Sequence, residues 1–108
     1  MIVVTTDTLD GFSIEEYLGV VRGVDVQSAT LREGISGGLK NLVGGNISSF
    51  RNTITSAREL AYAELITNAE KMGANAVIGF RYDTTGNVSN GSATEVVCYG
   101  TAVIIRKS

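Results

Sequence analysis

A chain of 108 residues, 44% of them apolar, with 9 basic and 11 acidic side chains and a net charge of −2, has room for one core across residues 1–108 and none for a separate cofactor domain. Two-domain dinucleotide-binding enzymes and TIM barrels are excluded, and a charged fraction of only 19% separates the chain from disordered ones. It has no basic block, no apolar run of the roughly 20 residues a bilayer requires and no basic secretory start, so the expectations are no nucleic acid, no membrane and a cytoplasmic location.

In chain order, Ile2-Val3-Val4-Thr5 reads as a short β-branched strand, stopped by Thr6-Asp7-Thr8 and turned at Asp10-Gly11. A second strand runs from Ile14 to Val26. Strict alternation puts Ile14, Glu16, Leu18, Val20, Arg22, Val24 and Val26 on one face and Tyr17, Gly19, Val21, Gly23 and Asp25 on the other, so both faces carry apolar groups. Over 28–47, Leu31, Ile35, Leu39, Leu42 and Val43 fall at helical spacing but Gly34, Gly37, Gly38, Gly44 and Gly45 interrupt them. Each internal Gly costs about 1 kcal/mol relative to Ala, so this is a short helix that depends on tertiary contacts.

From Ser48 to Met72 the stripe Phe50, Ile54, Ala57, Ala61, Leu65, Ala69 and Met72, widened by Leu60 and Ile66, predicts the main helix, with Lys71 and Gly73 as its stop. Two further strands follow. Ala76, Ile78, Phe80 and Tyr82 alternate with Val77, Gly79, Arg81 and Asp83, and Thr94 to Ile105 alternates in the same way. A segment rich in Gly, Asn and Ser joins them, with Asn90-Gly91 as its tightest turn signal, so they read as an antiparallel hairpin.

The order strand, strand, helices, strand, strand predicts an α+β domain: an antiparallel sheet packed on one long helix plus the short Gly-rich one. A helix about 10 Å across covers roughly two strands spaced about 4.8 Å apart, whereas three long strands carry apolar groups on both faces. Self-association is therefore expected, unless the Gly-rich segment packs over the surplus and leaves a monomer.

The blocks Gly11-Phe12-Ser13-Ile14-Glu15-Glu16-Tyr17-Leu18-Gly19-Val20-Val21, Gly44-Gly45, Ala57-Arg58-Glu59-Leu60-Ala61, Met72-Gly73-Ala74-Asn75-Ala76-Val77-Ile78-Gly79 and Tyr99-Gly100-Thr101-Ala102-Val103 resemble the YbjQ-like family nearly end to end. The family carries a heavy-metal-binding label without an assigned function. The resemblance implies a dodecin-like α+β subunit that assembles as a ring-shaped homopentamer, and it supplies no ligand set to transfer.

The chemistry-bearing residues are few. Cys98 is the one thiol and there is no His, so no single chain can build a cysteine or cysteine–histidine zinc shell. Cys98 is the candidate metal residue only through a ring of symmetry-related thiols or with a nearby carboxylate, for a soft or divalent ion; the competing reading is a small core residue. Without His, thiol and serine-triad catalysis lack their base. Glu15 and Glu16 point to opposite faces of a strand, solvated or paired with an Arg of another subunit. Asp7, Asp10 and Asp25 do not follow a calcium-loop spacing. Gly34-Ile35-Ser36-Gly37-Gly38-Leu39-Lys40 matches neither phosphate-loop pattern. Arg58 and Arg81 are candidates for intersubunit ion pairs, or for solvated surface groups.

Three functions follow: a homo-oligomeric module binding a metal or small ligand at subunit junctions, an interaction ring without ligand, and a carboxylate enzyme with an intersubunit site.

Overall fold

The computed structural model describes residues 1–28, 47–88 and 93–108. Four strands, β1 (Ile2–Val3), β2 (Phe12–Ser28), β3 (Ala76–Val88) and β4 (Ala93–Lys107), and one helix, α1 (Ile47–Lys71), follow each other as β1-β2-α1-β3-β4. The α+β expectation holds. The expected Gly-rich helix over 28–47 and the Asn90-Gly91 turn lie outside the described residues, and so do the side chains of Phe50 and Ile54.

The sheet order is β1-β3-β4-β2. β4 runs antiparallel to both long neighbours, and β1 adds a short parallel pair to β3, Ile2 opposite Ala76 and Val3 opposite Val77. The sheet is thus antiparallel except at this edge. The N-terminal segment continues along β3 through Val4 N–H to the Val77 carbonyl (2.9 Å), Phe80 N–H to the Val4 carbonyl (3.0 Å) and Gly79 N–H to the Thr6 carbonyl (2.9 Å).

Strict alternation fails at four places. In β2 the register shifts between Ile14 and Glu16 and again between Tyr17 and Gly19, and in β3 between Ile78 and Arg81 and again between Thr85 and Val88. Each shift sets one extra residue against β4, and an extra residue turns the following side chains to the opposite face. Gly19 (φ 116°) and Gly79 (φ 63°) supply the left-handed backbone at two of them. Ala76 and Ile78 therefore face one side while Phe80 joins Val77 on the other, against the expected grouping of 76, 78, 80 and 82. Tyr17 likewise leaves Val21 and Gly23 and joins the face of Val20, Arg22 and Val24.

One face of the sheet packs on α1. Ala57, Ala61, Leu65 and Ala69, one turn apart, are fully buried against Val21, Val77, Phe80, Val96, Cys98 and Ala102. Small residues in the stripe let the helix backbone come close, and Gly23 is where it touches: a Cβ there would land on the Ala61 carbonyl and 2.6 Å from the Leu65 nitrogen. Leu60 does not widen the stripe; it is 54% exposed. Met72 is exposed too, because the helix ends beneath it. The end is a Schellman motif, with Gly73 (φ 89°) in the left-handed region and N–H bonds of 3.0 Å from Gly73 to the Glu70 carbonyl and from Ala74 to the Ala69 carbonyl.

The other face carries a second, smaller core at one end, where Ala76, Ile78, Val103 and Ile105 are covered by Val4, Leu9, Phe12 and Ile14. Asn75 binds this end together. Its N–H donates to the Val103 carbonyl (3.1 Å) and its carbonyl accepts from Ile2 (3.4 Å). Its side-chain amide donates to the Ile105 carbonyl (2.9 Å) and accepts from the Ile105 N–H (2.7 Å). The amide side chain thus replaces one more backbone pair on β4.

Candidate functional site

Among the described residues, two places gather the side chains that carry chemistry, one beneath the helix and one on the opposite side of the sheet.

Beneath α1, Cys98 pairs with Gly23 of β2 on one side and Tyr82 of β3 on the other, and the thiol is fully buried. Burial pushes its pKa above the ordinary value, partly offset by a backbone hydrogen bond at Gly23. A thiol held protonated in an apolar seat is a poor ligand and a poor nucleophile. Tyr82 is raised as well, by burial first and then by Cys98. The Arg58 guanidinium lies over the Tyr82 ring, 4.5 Å from its centre, and the Tyr82 hydroxyl donates to the Arg58 carbonyl at 3.4 Å. Phe80 meets Tyr82 and Tyr62 edge-on, at 5.0 and 5.6 Å. This cluster locks the helix to β3, and Arg58 is engaged within its own chain.

The described residues do not make a metal cradle among themselves. No three His, Cys, Asp or Glu side chains come together among the described residues, the full sequence holds no His, and Cys98 is sealed between sheet and helix. Asp7, Asp10 and Asp25 do not gather. Glu15 pairs with Arg106 of its own chain at 2.9 Å, both exposed, and Glu16 stands in solvent. None of the described buried residues is charged. An open depression of about 290 Å³ near the N-terminus is lined by Val4, Thr6, Thr8, Leu9 and Asp10.

The opposite side of the sheet is open beyond the second core. Residues paired across an antiparallel ladder share a face, so the register places Val20 beside Thr101, Arg22 beside Tyr99, Val24 beside Val97 and Val26 beside Glu95. On β3, Arg81 also pairs with Tyr99, and Asp83 with Val97. Tyr17 and Val20 are 66% and 67% exposed, Tyr99 40%, and Val26 is exposed as well. Across its middle runs a row Arg22–Tyr99–Arg81. One Arg81 guanidinium nitrogen donates to the carbonyls of Thr5 (2.9 Å) and Phe80 (2.8 Å); among the described residues neither arginine has an acidic partner, the described ion pair being Glu15–Arg106. Alternation alone keeps Tyr17 off this face; the signal that could have placed it there is Gly19, a bulge residue two positions on.

No described helix is long and apolar enough to cross a membrane. Residues 1–106 match a family model described as "Putative heavy-metal-binding". An uncharacterised UPF0145 protein of Francisella tularensis is 47% identical over 106 residues, 98% of this chain and all of the relative. Another, from Legionella pneumophila, is 45% identical over 105 residues, 97% of this chain and 98% of the relative. A crystal structure of a Pediococcus pentosaceus protein with unknown function, from the DUF74 family, superposes with a TM-score of 0.67 at 19% identity, covering 98% of each chain; at that identity it speaks to the fold. The match from end to end, in sequence and in fold, places this chain in the YbjQ-like (UPF0145) family.

Proposed function

We propose that this chain is a self-assembling binding module, in which copies cover one another's open sheet face to form a ring, five-membered as the family resemblance implies, and hold a small ligand or metal ion at the junctions. The observation that carries the reading is the apolar field of Tyr17, Val20, Val26 and Tyr99 standing in solvent on the side of the sheet that α1 does not cover. Burying a valine side chain is worth about 1.5–3 kcal/mol, so exposed apolar groups of this kind favour association. β2 is also an end strand of the sheet, with one ladder edge open among the described residues, and open edges favour pairing. Cys98 supports packing in this scheme rather than ligation, since reaching it requires α1 to lift off the sheet; a bound ion would rest on carboxylates and carbonyls contributed by several copies.

Sedimentation velocity in dilute buffer tests the assembly. The expected particle is several times the 11.4 kDa chain, and Val20→Glu, which replaces one of the exposed apolar groups with a charge, shifts it toward the single chain. A wild-type protein that sediments as one 11.4 kDa particle overturns the reading. Calorimetric titration of the assembly with soft and hard divalent ions, on wild type and Cys98→Ala, tests the metal arm: binding unchanged by the substitution supports a junction site, and binding abolished by it returns the role to the thiol.

A further inference from the structure

The segment from Val4 to Gly11 lies outside the strands and the helix, yet it is tethered almost residue by residue. Val4 bonds to β3 through both its N–H and its carbonyl, and the carbonyl of Thr6 accepts from Gly79 (2.9 Å), that of Leu9 from Phe12 (3.2 Å) and that of Gly11 from Ser108 (3.0 Å). Arg81 donates to the Thr5 carbonyl at 2.9 Å, and the Thr6 hydroxyl to the Thr8 carbonyl at 2.7 Å. A loop fixed in this way on a rigid scaffold keeps its shape when empty, so little ordering is left for a ligand to impose.

The shape it keeps is the depression of about 290 Å³ lined by Val4, Thr6, Thr8, Leu9 and Asp10, at the small end of the roughly 300–1,000 Å³ of ligand sites. Val4 and Leu9, half-buried over the second core, are its apolar part. Its polar side chains accept more than they donate. The Thr6 hydroxyl has committed its proton to Thr8 and keeps its lone pairs. The exposed Asp10 carboxylate is an acceptor only, and among the described residues it has no hydrogen-bond or ion-pair partner. None of the described lining residues is basic, and Asp7 adds a second negative charge to the loop. An apolar surface beside an unpaired carboxylate complements a short alkyl chain that ends in a cation rich in donors. A primary ammonium, with three donors and no acceptor, is that group.

We propose that this depression binds a primary alkylammonium group, with its methylenes on Val4 and Leu9 and its N–H donors shared among Asp10 and the Thr6 and Thr8 hydroxyls. The site is built within one chain and goes beyond the self-assembly reading, so neither stands or falls with the other. An exposed charge pair with a few apolar contacts gives binding in the millimolar range. A free aliphatic amine and a lysine side chain carry the same group.

Nitrogen-15 NMR titration of the full chain at fixed ionic strength tests it, with n-butylammonium, neutral n-butanol and Nα-acetyl-lysine N-methylamide as probes. Butylammonium is expected to give saturable shifts at the amides of Val4, Thr6, Thr8, Leu9 and Asp10, and butanol to bind about fivefold more weakly for want of the charge. Asp10→Asn, which keeps the shape of the side chain, should weaken butylammonium by a similar factor, and Asp7→Asn should leave it within about twofold of wild type. A lysine derivative that binds as tightly as butylammonium supports a protein side chain as the source of the group, and one that binds more weakly supports a free amine. Shifts that never saturate or that centre elsewhere, butanol binding as well as butylammonium, or Asp10→Asn binding like wild type would each overturn the proposal. The comparison of butylammonium with butanol on wild type decides it even if Asp10→Asn does not fold. A protein that sediments as a single chain and still binds butylammonium here overturns the assembly alone.

Discussion

Gly23 is where the helix and sheet stand closest, and Gly23→Ala tests how the core is built. The added Cβ would meet main chain on α1: it would fall on the Ala61 carbonyl, and its 2.6 Å approach to the Leu65 nitrogen is well inside van der Waals contact. Main chain inside a helix cannot swing aside as a side chain can. The helix must lift by roughly 1 Å, and a radial gap of that size forfeits about half of each dispersion contact it opens. The contacts at stake are those of Ala57, Ala61, Leu65 and Ala69 with the sheet. Overpacking costs about 1–3 kcal/mol, and an unyielding obstacle puts this substitution at the upper end, about 3 kcal/mol. For a domain of this size that is a drop of about 12 °C or more in Tm. Thermal unfolding followed by circular dichroism reads it directly. Adding Ala61→Gly should not restore stability, because the carbonyl remains. A Gly23→Ala protein melting within about 2 °C of wild type would refute the close contact, and rescue by Ala61→Gly would mean the obstacle is a methyl group.

Two other residues carry sharp expectations. Asn75→Ala removes both side-chain bonds to Ile105 and should cost about 2 kcal/mol in urea unfolding, at about 1 kcal/mol per bond, with faster hydrogen exchange at the Ile105 amide; Asn75→Asp should fare no better, since it sets an oxygen against the Ile105 carbonyl, and unchanged exchange would contradict the pairing. Cys98 should resist thiol reagents in the native protein and react at once in urea. Its folded pKa lies above the ordinary 9.0, so the folded state holds the proton more tightly than the unfolded one. Its contribution to stability is therefore complete below pH 9.0 and declines as the pH rises past it. Cys98→Ala should make the urea midpoint less sensitive to alkali, and a wild-type midpoint that rises on going from neutral to alkaline pH would reverse the sign of this argument.

The elements themselves were legible in the amino-acid order. β-branched alternation marked β2, β3 and β4, and the four-residue step from Ala57 to Ala69 marked α1, because burial on one side of a helix leaves that period. The Gly73 stop was legible for a similar reason: a left-handed residue after the last turn is a local requirement. What alternation does not encode is the count across the ladder. A bulge sets two residues against one, and the choice depends on what the neighbouring strand and the helix present. Phe80 and Tyr82 therefore read as partners of Ile78 when they belong to the opposite face, and Tyr17 reads as a companion of Val21 when it lies with Val20. Leu60 fits a helical stripe by spacing yet faces out, since the sheet meets α1 along a line of alanines rather than a broad band. The surplus of apolar surface was visible from composition and strand length; the arginine row across its middle emerges only once the register of three strands is known.

The bulge at Gly79 makes the length of β3 as consequential as its composition. Exchanging a residue there alters one contact, but deleting one would turn the strand inside out from that point onward, sending Phe80 and Tyr82 into water and bringing Arg81 and Asp83 under the helix. Across the relatives, substitutions along this stretch should consequently be common where gaps are rare.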